Sequence, residues 1–210
     1  MKISWQGHAS FIIESGGLFL VTDPFDEKVG YPHFLDQADI VTVSHEHYDH
    51  YAIHRFKNTP HIVMGPGQFD FGPVRIEGYP SWHDTRQGRD RGLNIIYRIA
   101  AEDINIIHLG DLGHIPEQQA EAIGTPDVLM IPVGGTYTLD AEAAWRTVEL
   151  LEPKIIIPMH YRTPVCNIDI DVLEHFTRRC DGFIKKDHLT LTAAELQGKS
   201  GEVLVLDYLS

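Results

Sequence analysis

The 210-residue chain has only two cysteines, Cys166 and Cys180, and their spacing makes neither a redox pair nor a zinc-binding pair. A thiolate-ligated structural zinc site is thereby disfavoured, and the thiols are expected to be inert groups in a reducing compartment. Long apolar runs are also missing. No stretch suffices to cross a bilayer, and the opening Met1-Lys2-Ile3-Ser4-Trp5-Gln6 enters a strand-like pattern without the apolar core of a signal peptide. Cytoplasmic residence is the expectation. Positive charge is scarce: 17 Lys and Arg against 30 Asp and Glu give a formal net charge of −13. Such a surface repels phosphate backbones and anionic lipid, so neither nucleic acid nor a membrane is expected as a partner. Repeats, low-complexity runs and linkers are absent, and the length suits one domain over residues 1–210.

Histidine and aspartate, by contrast, are concentrated in one place. Ser44-His45-Glu46-His47-Tyr48-Asp49-His50 puts three imidazoles and an aspartate within six residues, directly after the apolar run Ile40, Val41, Val43. That run reads as a buried strand ending near Ser44. In the turning segment beyond it, His45 and His47 converge on one ion, while Asp49 and His50 start the next element, read as a helix through Ala52, Ile53 and Phe56, and face a second position. Imidazole and carboxylate donors without thiolate suit zinc first, with manganese and iron as alternatives.

Other strand ends carry comparable residues. Strands are read over Ile3 to Trp5, Ser10 to Glu14 and Leu18 to Val21, with Gly16-Gly17 as a hairpin turn. His8 follows the first, as a pocket residue or a surface turn histidine; Asp23 follows the third, supporting the metal loop or capping its turn. The segment 26–37 is irregular and reads as a loop able to overhang a site. His83 stands beyond a strand over Val74 to Tyr79 and opens a loop holding Arg86, Arg89 and Arg91, a local basic patch that either meets an anionic substrate or is solvated. A hairpin over Leu93 to Ala100 and Ile104 to Leu109 leads into Gly110-Asp111-Leu112-Gly113-His114. There Asp111 is placed to bridge two ions, and His114 to act behind the ligands or as a helix cap before Pro116. A strand over Asp127 to Pro132 precedes the Tyr137 loop and an amphipathic helix, Asp140 to Leu151, whose apolar face is core. Ile155, Ile156 and Ile157 form a further strand that delivers His160 and Tyr161; a helix around Val172 to Arg178 and a strand from Glu202 to Asp207 complete the chain.

The set His45, His47, Asp49, His50, His83, Asp111 and His160, in this order and rough spacing, resembles the metallo-β-lactamase superfamily. The opening Trp5-Gln6-Gly7-His8-Ala9-Ser10, the Thr22-Asp23-Pro24 turn, and the Gly-Asp-Leu-Gly and Pro-Met-His segments are similar to its branch containing the ascorbate-6-phosphate lactonases. The resemblance implies an α/β (α+β) fold: a four-layer αββα sandwich, two mixed β-sheets flanked by helices with metals in a cleft at one edge. It assigns His45, His47 and His83 to one ion, Asp49, His50 and His160 to the other, and Asp111 to the bridge. Flavodiiron relatives usually carry glutamate where His47 stands, which disfavours redox di-iron chemistry. The implied function is a dinuclear metal hydrolase in which water held between two divalent ions ionises near neutral pH and cleaves a small, anionic ester, lactone or phosphate-bearing metabolite. Asp49 would also orient the nucleophile, and His8, Tyr137 or Tyr161 would help neutralise the departing oxygen. The alternatives are a phosphodiesterase or nuclease, which would need a basic path this acidic chain lacks, and a metal-binding protein without activity. Relatives of the lactonase type assemble, so a homo-oligomer is compatible, although no interface is legible.

Overall fold

The computed structural model describes residues 1–32 and 34–210; position 33, within the irregular segment 26–37, lies outside the described residues. Two mixed sheets carry the architecture. The first contains β1 (Lys2–Gly7), β2 (Ser10–Ser15), β3 (Leu18–Thr22), β4 (Ile40–Val43) and β5 (His61–Met64) in that order, with β13 (His188–Thr190) beside β1. The second contains β6 (Gly67–Asp70), β7 (Val74–Trp82), β8 (Leu93–Ala101), β9 (Ile104–His108), β10 (Val128–Pro132) and β11 (Ile155–Met159). Beyond β11 lie β14 (Glu202–Leu206) and then β12 (Ile184–Lys186).

Alternation along the strands of the first sheet sends two apolar sets to opposite faces. Ile3, Trp5, Phe11, Ile13, Leu20 and Ile40 join one core cluster with Ile76, Ile96, Ile99 and Ile106 of the second sheet. Ile12, Val21, Val41 and Val43 form a separate cluster with Ala38 and Phe56. Strands β10 and β11 of the second sheet are apolar throughout, and helix α2 (Ala141–Leu151) packs Ala144, Val148 and Leu151 into the same core. Asp140 caps α2 by accepting from the Ala143 amide. Two further short helices are α1 (Glu117–Ile123) and α3 (Glu174–Thr177).

Strand direction places the site. β1 is antiparallel to β2 and β2 to β3, while β3, β4 and β5 are parallel, so β1, β3 and β4 all point one way. In the second sheet β7 is antiparallel to β8 and β8 to β9, whereas β9, β10 and β11 are parallel, so β7, β9 and β11 are likewise co-directional. His8, Asp23, the His45–His50 segment, His83, Asp111 and His160 each follow the carboxyl end of one of these six strands. Ligand sites of open α/β sheets gather at such ends.

Several elements differ from the sequence expectation. The segment after Asp49 forms only a 3-10 turn, Ile53–Arg55, because Ala52 donates its amide to the Pro24 carbonyl and His50 to that of His47. β6, paired with β7, is a strand the sequence reading did not include, and the tail adds β12 and β13. Within the segment expected to overhang a site, Val29 and Tyr31 are instead buried with Phe25 against Cys166, Ile168 and Ile170. Among the described residues both cysteines are free, and no helix is long and apolar enough to cross a membrane.

Candidate metal centre

Four strand ends, those of β4, β7, β9 and β11, bring the seven predicted ligand residues together. The metal-capable atoms of His45, His47 and His83 lie within 4.8 Å of one another, as do those of Asp49, His50 and His160, whose group also takes in His8. Asp111 stands between the two groups: its Oδ2 is 3.1 Å from His83 Nε2, 3.3 Å from His160 Nε2 and 3.9 Å from His45 Nε2, and its Oδ1 is 3.2 Å from His50 Nε2. A third such group joins His45, His50 and Asp111. All but His47 and Asp49 are buried.

Backbone conformation aims these side chains. Gly110 has φ 55°, and a Cβ there would lie 2.3 Å from Asn94 Oδ1, so glycine is required one residue before Asp111. Asn94 Oδ1 accepts the Asp111 amide at 2.9 Å, while its amide group donates to Ser81 Oγ and to the Leu109 carbonyl. His108, buried beneath the site, donates Nε2–H to the Ala9 carbonyl at 2.8 Å and accepts from the Gly110 amide through Nδ1, so it is structural.

One residue behind the cluster orients ligands of both groups. Asp23 accepts at Oδ1 from the Ser44 amide (2.7 Å) and at Oδ2 from Ser44 Oγ (2.6 Å) and His50 Nδ1 (2.9 Å). Ser44 Oγ, having donated to Asp23, accepts from His45 Nδ1 at 2.9 Å. The network therefore assigns the Nδ1–H tautomer to His45 and directs Nε2 of both imidazoles to the centre. Those two Nε2 atoms are buried without a hydrogen-bond partner, and so is Asp111 Oδ1. His50 Nε2 and Asp111 Oδ1 are close enough to touch yet misaligned for a hydrogen bond.

Electrostatics give the same answer. Asp23, Asp49 and Asp111 crowd together, and among the described residues no lysine or arginine pairs with any of them. Burial opposes ionisation of Asp111, but His160 and His50 outweigh it and hold this carboxyl well below its ordinary range; His50 and His8 do the same for Asp49. His50 is pushed well above its usual value: burial disfavours its charge, but Asp111, Asp49 and Asp23 prevail. Burial, reinforced by His50, lowers His45 to about 3 and keeps its lone pair free. Buried anions without a lysine or arginine partner, facing imidazole nitrogens that lack hydrogen bonds, fit divalent cations.

The other predicted residues fall out differently. His8 is fully buried, with Nε2 3.1 Å from Asp49 Oδ2 and its ring centroid 4.1 Å from that of His160. It is packed behind Asp49 and is out of reach of a substrate. Burial and the neighbouring His160 depress its pKa to about 4. Arg91 and Tyr137 line the cleft of about 400 Å³ in front of the cluster, with the guanidinium 5.3 Å from the Tyr137 ring centroid and Nη2 donating to the Thr136 carbonyl at 2.9 Å. Arg86 pairs instead with Asp90, and exposed Arg89 does not line the cleft. Tyr161 corrects the expectation outright: its ring is buried against Trp5, 5.1 Å between centroids, inside the core. His114 also lies elsewhere, exposed along a groove with Ile115, Pro116 and Arg146. Sequence reasoning missed Ser44, Asn94 and His108, whose signal was a polar side chain in or next to an apolar strand, and Tyr48, which lines the cleft.

Comparison with known proteins identifies the family. The β-lactamase superfamily domain model matches residues 2–160, and the chain belongs to that family. A Thermotoga maritima protein of known structure, assigned as a zinc-dependent hydrolase of the metallo-β-lactamase superfamily, is 35% identical, superposes with a TM-score of 0.80 and is matched over 98% of both chains. UPF0173 metal-dependent hydrolases from Carboxydothermus hydrogenoformans (30% identical, 81% of this chain and 89% of theirs) and Pyrococcus horikoshii (29%, 78% and 85%) are similar in sequence. The two mixed sheets with few helices are thus the metallo-β-lactamase sandwich.

Proposed function

We propose that the protein is a dinuclear metal-dependent hydrolase of a small, anionic ester, lactone or phosphate-bearing metabolite, with zinc as its first-choice ion and manganese or iron as alternatives. The observation that carries this reading is Asp111, which faces two separate groups of imidazoles from one carboxylate. His45, His47 and His83 would hold one ion, Asp49, His50 and His160 the other, and Asp111 both. When bound, the ions supply Lewis acidity and a water of lowered pKa.

The chain's own residues supply the rest. Asp49, the one member of the carboxylate trio with appreciable exposure (13% of its side chain), is held from behind by His8 and orients the attacking water from the cleft wall. Arg91, exposed and backed by Tyr137, grips the anionic group of the substrate. Resemblance of the Trp5–Ser10 and Thr22–Pro24 segments to the lactonase branch favours acyl chemistry. The same reading makes a small molecule the partner, without nucleic acid or membrane, in a cytoplasmic setting suited to two free cysteines. Elemental analysis of metal per chain, paired with turnover of lactone, phosphomonoester and phosphodiester panels before and after chelation, tests it. Two ions with chelator-sensitive turnover are expected; one ion or none, with no turnover after remetallation, refutes it.

A further inference from the structure

A second cavity, also about 400 Å³, adjoins the metal cleft and shares two residues with it, His47 and Arg91. Its remaining walls include Met64, Pro66, Leu93 and Ile95, where the edge of the first sheet at β5 meets the start of β8 in the second. Met64 and Leu93 are 44% and 57% exposed, although both sheets have an apolar core available to them. The wall is fixed: the Gly65 amide donates to the Tyr97 hydroxyl, which donates to the Val43 carbonyl at 2.8 Å. A preformed apolar groove of this size, open to a cleft of polar groups, is the usual form of a small-molecule subsite.

We infer that this groove binds the apolar chain or ring of an acyl substrate, so that the protein acts on esters or lactones of apolar carboxylic acids and not on sugar or polyol phosphates. The inference rests on the proposed hydrolase reading and narrows it. In the reaction, water adds its hydroxyl to the acyl carbon as the acyl carbon–oxygen bond breaks, its proton goes to the departing oxygen, and the carboxylic acid formed releases a proton to solvent, leaving an amphipathic carboxylate. That product matches the surfaces present. Its tail lies along Met64, Pro66, Leu93 and Ile95, and its carboxylate meets Arg91, which among the described residues forms no ion pair. A phosphorylated polyol would leave Met64, Pro66, Leu93 and Ile95 wet, and its hydroxyls along that wall would find no partner there; Glu46, His47 and Arg91, the exposed polar side chains of the groove, are too few to bond them all.

The test is calorimetric titration with acetate, butanoate, hexanoate and octanoate, and with glycerol phosphate, on the metal-loaded protein. Affinity is expected to rise about two- to threefold per methylene, somewhat below the value for complete burial because the groove is open, and to level off once the chain outruns it. Leu93→Asn and Met64→Gln, both at exposed positions, are each expected to flatten that slope. Slope is the readout, so a variant that weakens every acid equally overturns the inference, as does glycerol phosphate binding more tightly than octanoate. A dimer by sedimentation that Leu93→Asn splits, with no chain-length dependence in the parent, overturns it too and makes the face an interface between copies. If the hydrolase reading alone fails, chelator-sensitive turnover is missing while the chain-length slope persists.

Discussion

Replacing Asp23 by asparagine should separate metal affinity from folding. The carboxylate faces three donors: the Ser44 amide, Ser44 Oγ and His50 Nδ1. Asparagine retains the acceptor opposite the Ser44 amide but puts an NH2 where Oδ2 meets the other two. Ser44 and His50 can both adapt, the hydroxyl by rotating to accept and the imidazole by giving up its Nδ1 proton and keeping the one on Nε2. The rotated hydroxyl then donates to His45 Nδ1 and shifts that ring's proton to Nε2 as well. Metal-free, the variant is nearly satisfied, and its loss of stability should stay within about 1–3 kcal/mol, the worth of charge-assisted hydrogen bonds exchanged for neutral ones. For metal binding the outcome is different. Nε2–H of both imidazoles now points at the centre, and each must move its proton to Nδ1 by sacrificing a hydrogen bond. Loss of such supporting partners weakens metal sites about 10- to 100-fold, and because Asp23 serves one ligand of each group, both of the proposed ions should weaken. Competition against a chromophoric chelator measures the affinity, and circular dichroism melting of the stripped protein measures the fold. A folded Asp23→Asn protein that binds both ions within twofold of the parent would refute the relay.

Two further outcomes follow from other parts of the site. Asp84 accepts the backbone amides of Arg86, Gly88, Asp90 and Arg91, which hold its pKa down to about 2 and close the loop that carries Arg91. Asp84→Ala should therefore raise hydrogen exchange at those four amides by about tenfold or more and raise KM with metal content unchanged; unaltered exchange would mean that the loop closes by other means. In the metal-free protein His8 and His45 have pKa values depressed to about 4 and about 3, against an ordinary 6.5. Below pH 6.5 the unfolded chain takes up protons that these buried rings refuse, so their contribution to stability is complete above 6.5 and is lost as pH falls through about 4 for His8 and about 3 for His45. Urea midpoints of chelated protein should fall across that interval, and less steeply in His8→Gln; parallel curves would show that His8 does not bear the acid limb.

What could be read in the sequence follows from how far apart the cooperating residues lie. His45 to His50 are neighbours in the chain, and their density needs no fold to be recognised. His83, Asp111 and His160 could be placed because each closes an apolar run, and the co-directional strands turn that shared position into a shared location. The failures have the same origin. Tyr161 follows His160 directly, but His160 has φ 52°, and the chain leaving it delivers the next side chain to Trp5 in the core instead of the cleft. His114 is only three residues beyond Asp111, yet it lies in the groove beside Pro116. β12 escaped notice because all three of its residues are exposed, so burial imposes no period on it. Asn94, Ser44 and His108 are the more instructive omissions. Each is a polar residue held within or against an apolar strand, where an unbonded side chain would be costly, and the structure shows each one satisfied. In a strand, such a residue predicts a partner before it predicts a function. Here the partners are Asp111 for Asn94, Asp23 and His45 for Ser44, and the Ala9 carbonyl beside His8 for His108. The apolar strands thus fix not only where the metal-capable groups stand but also which face of each is left open.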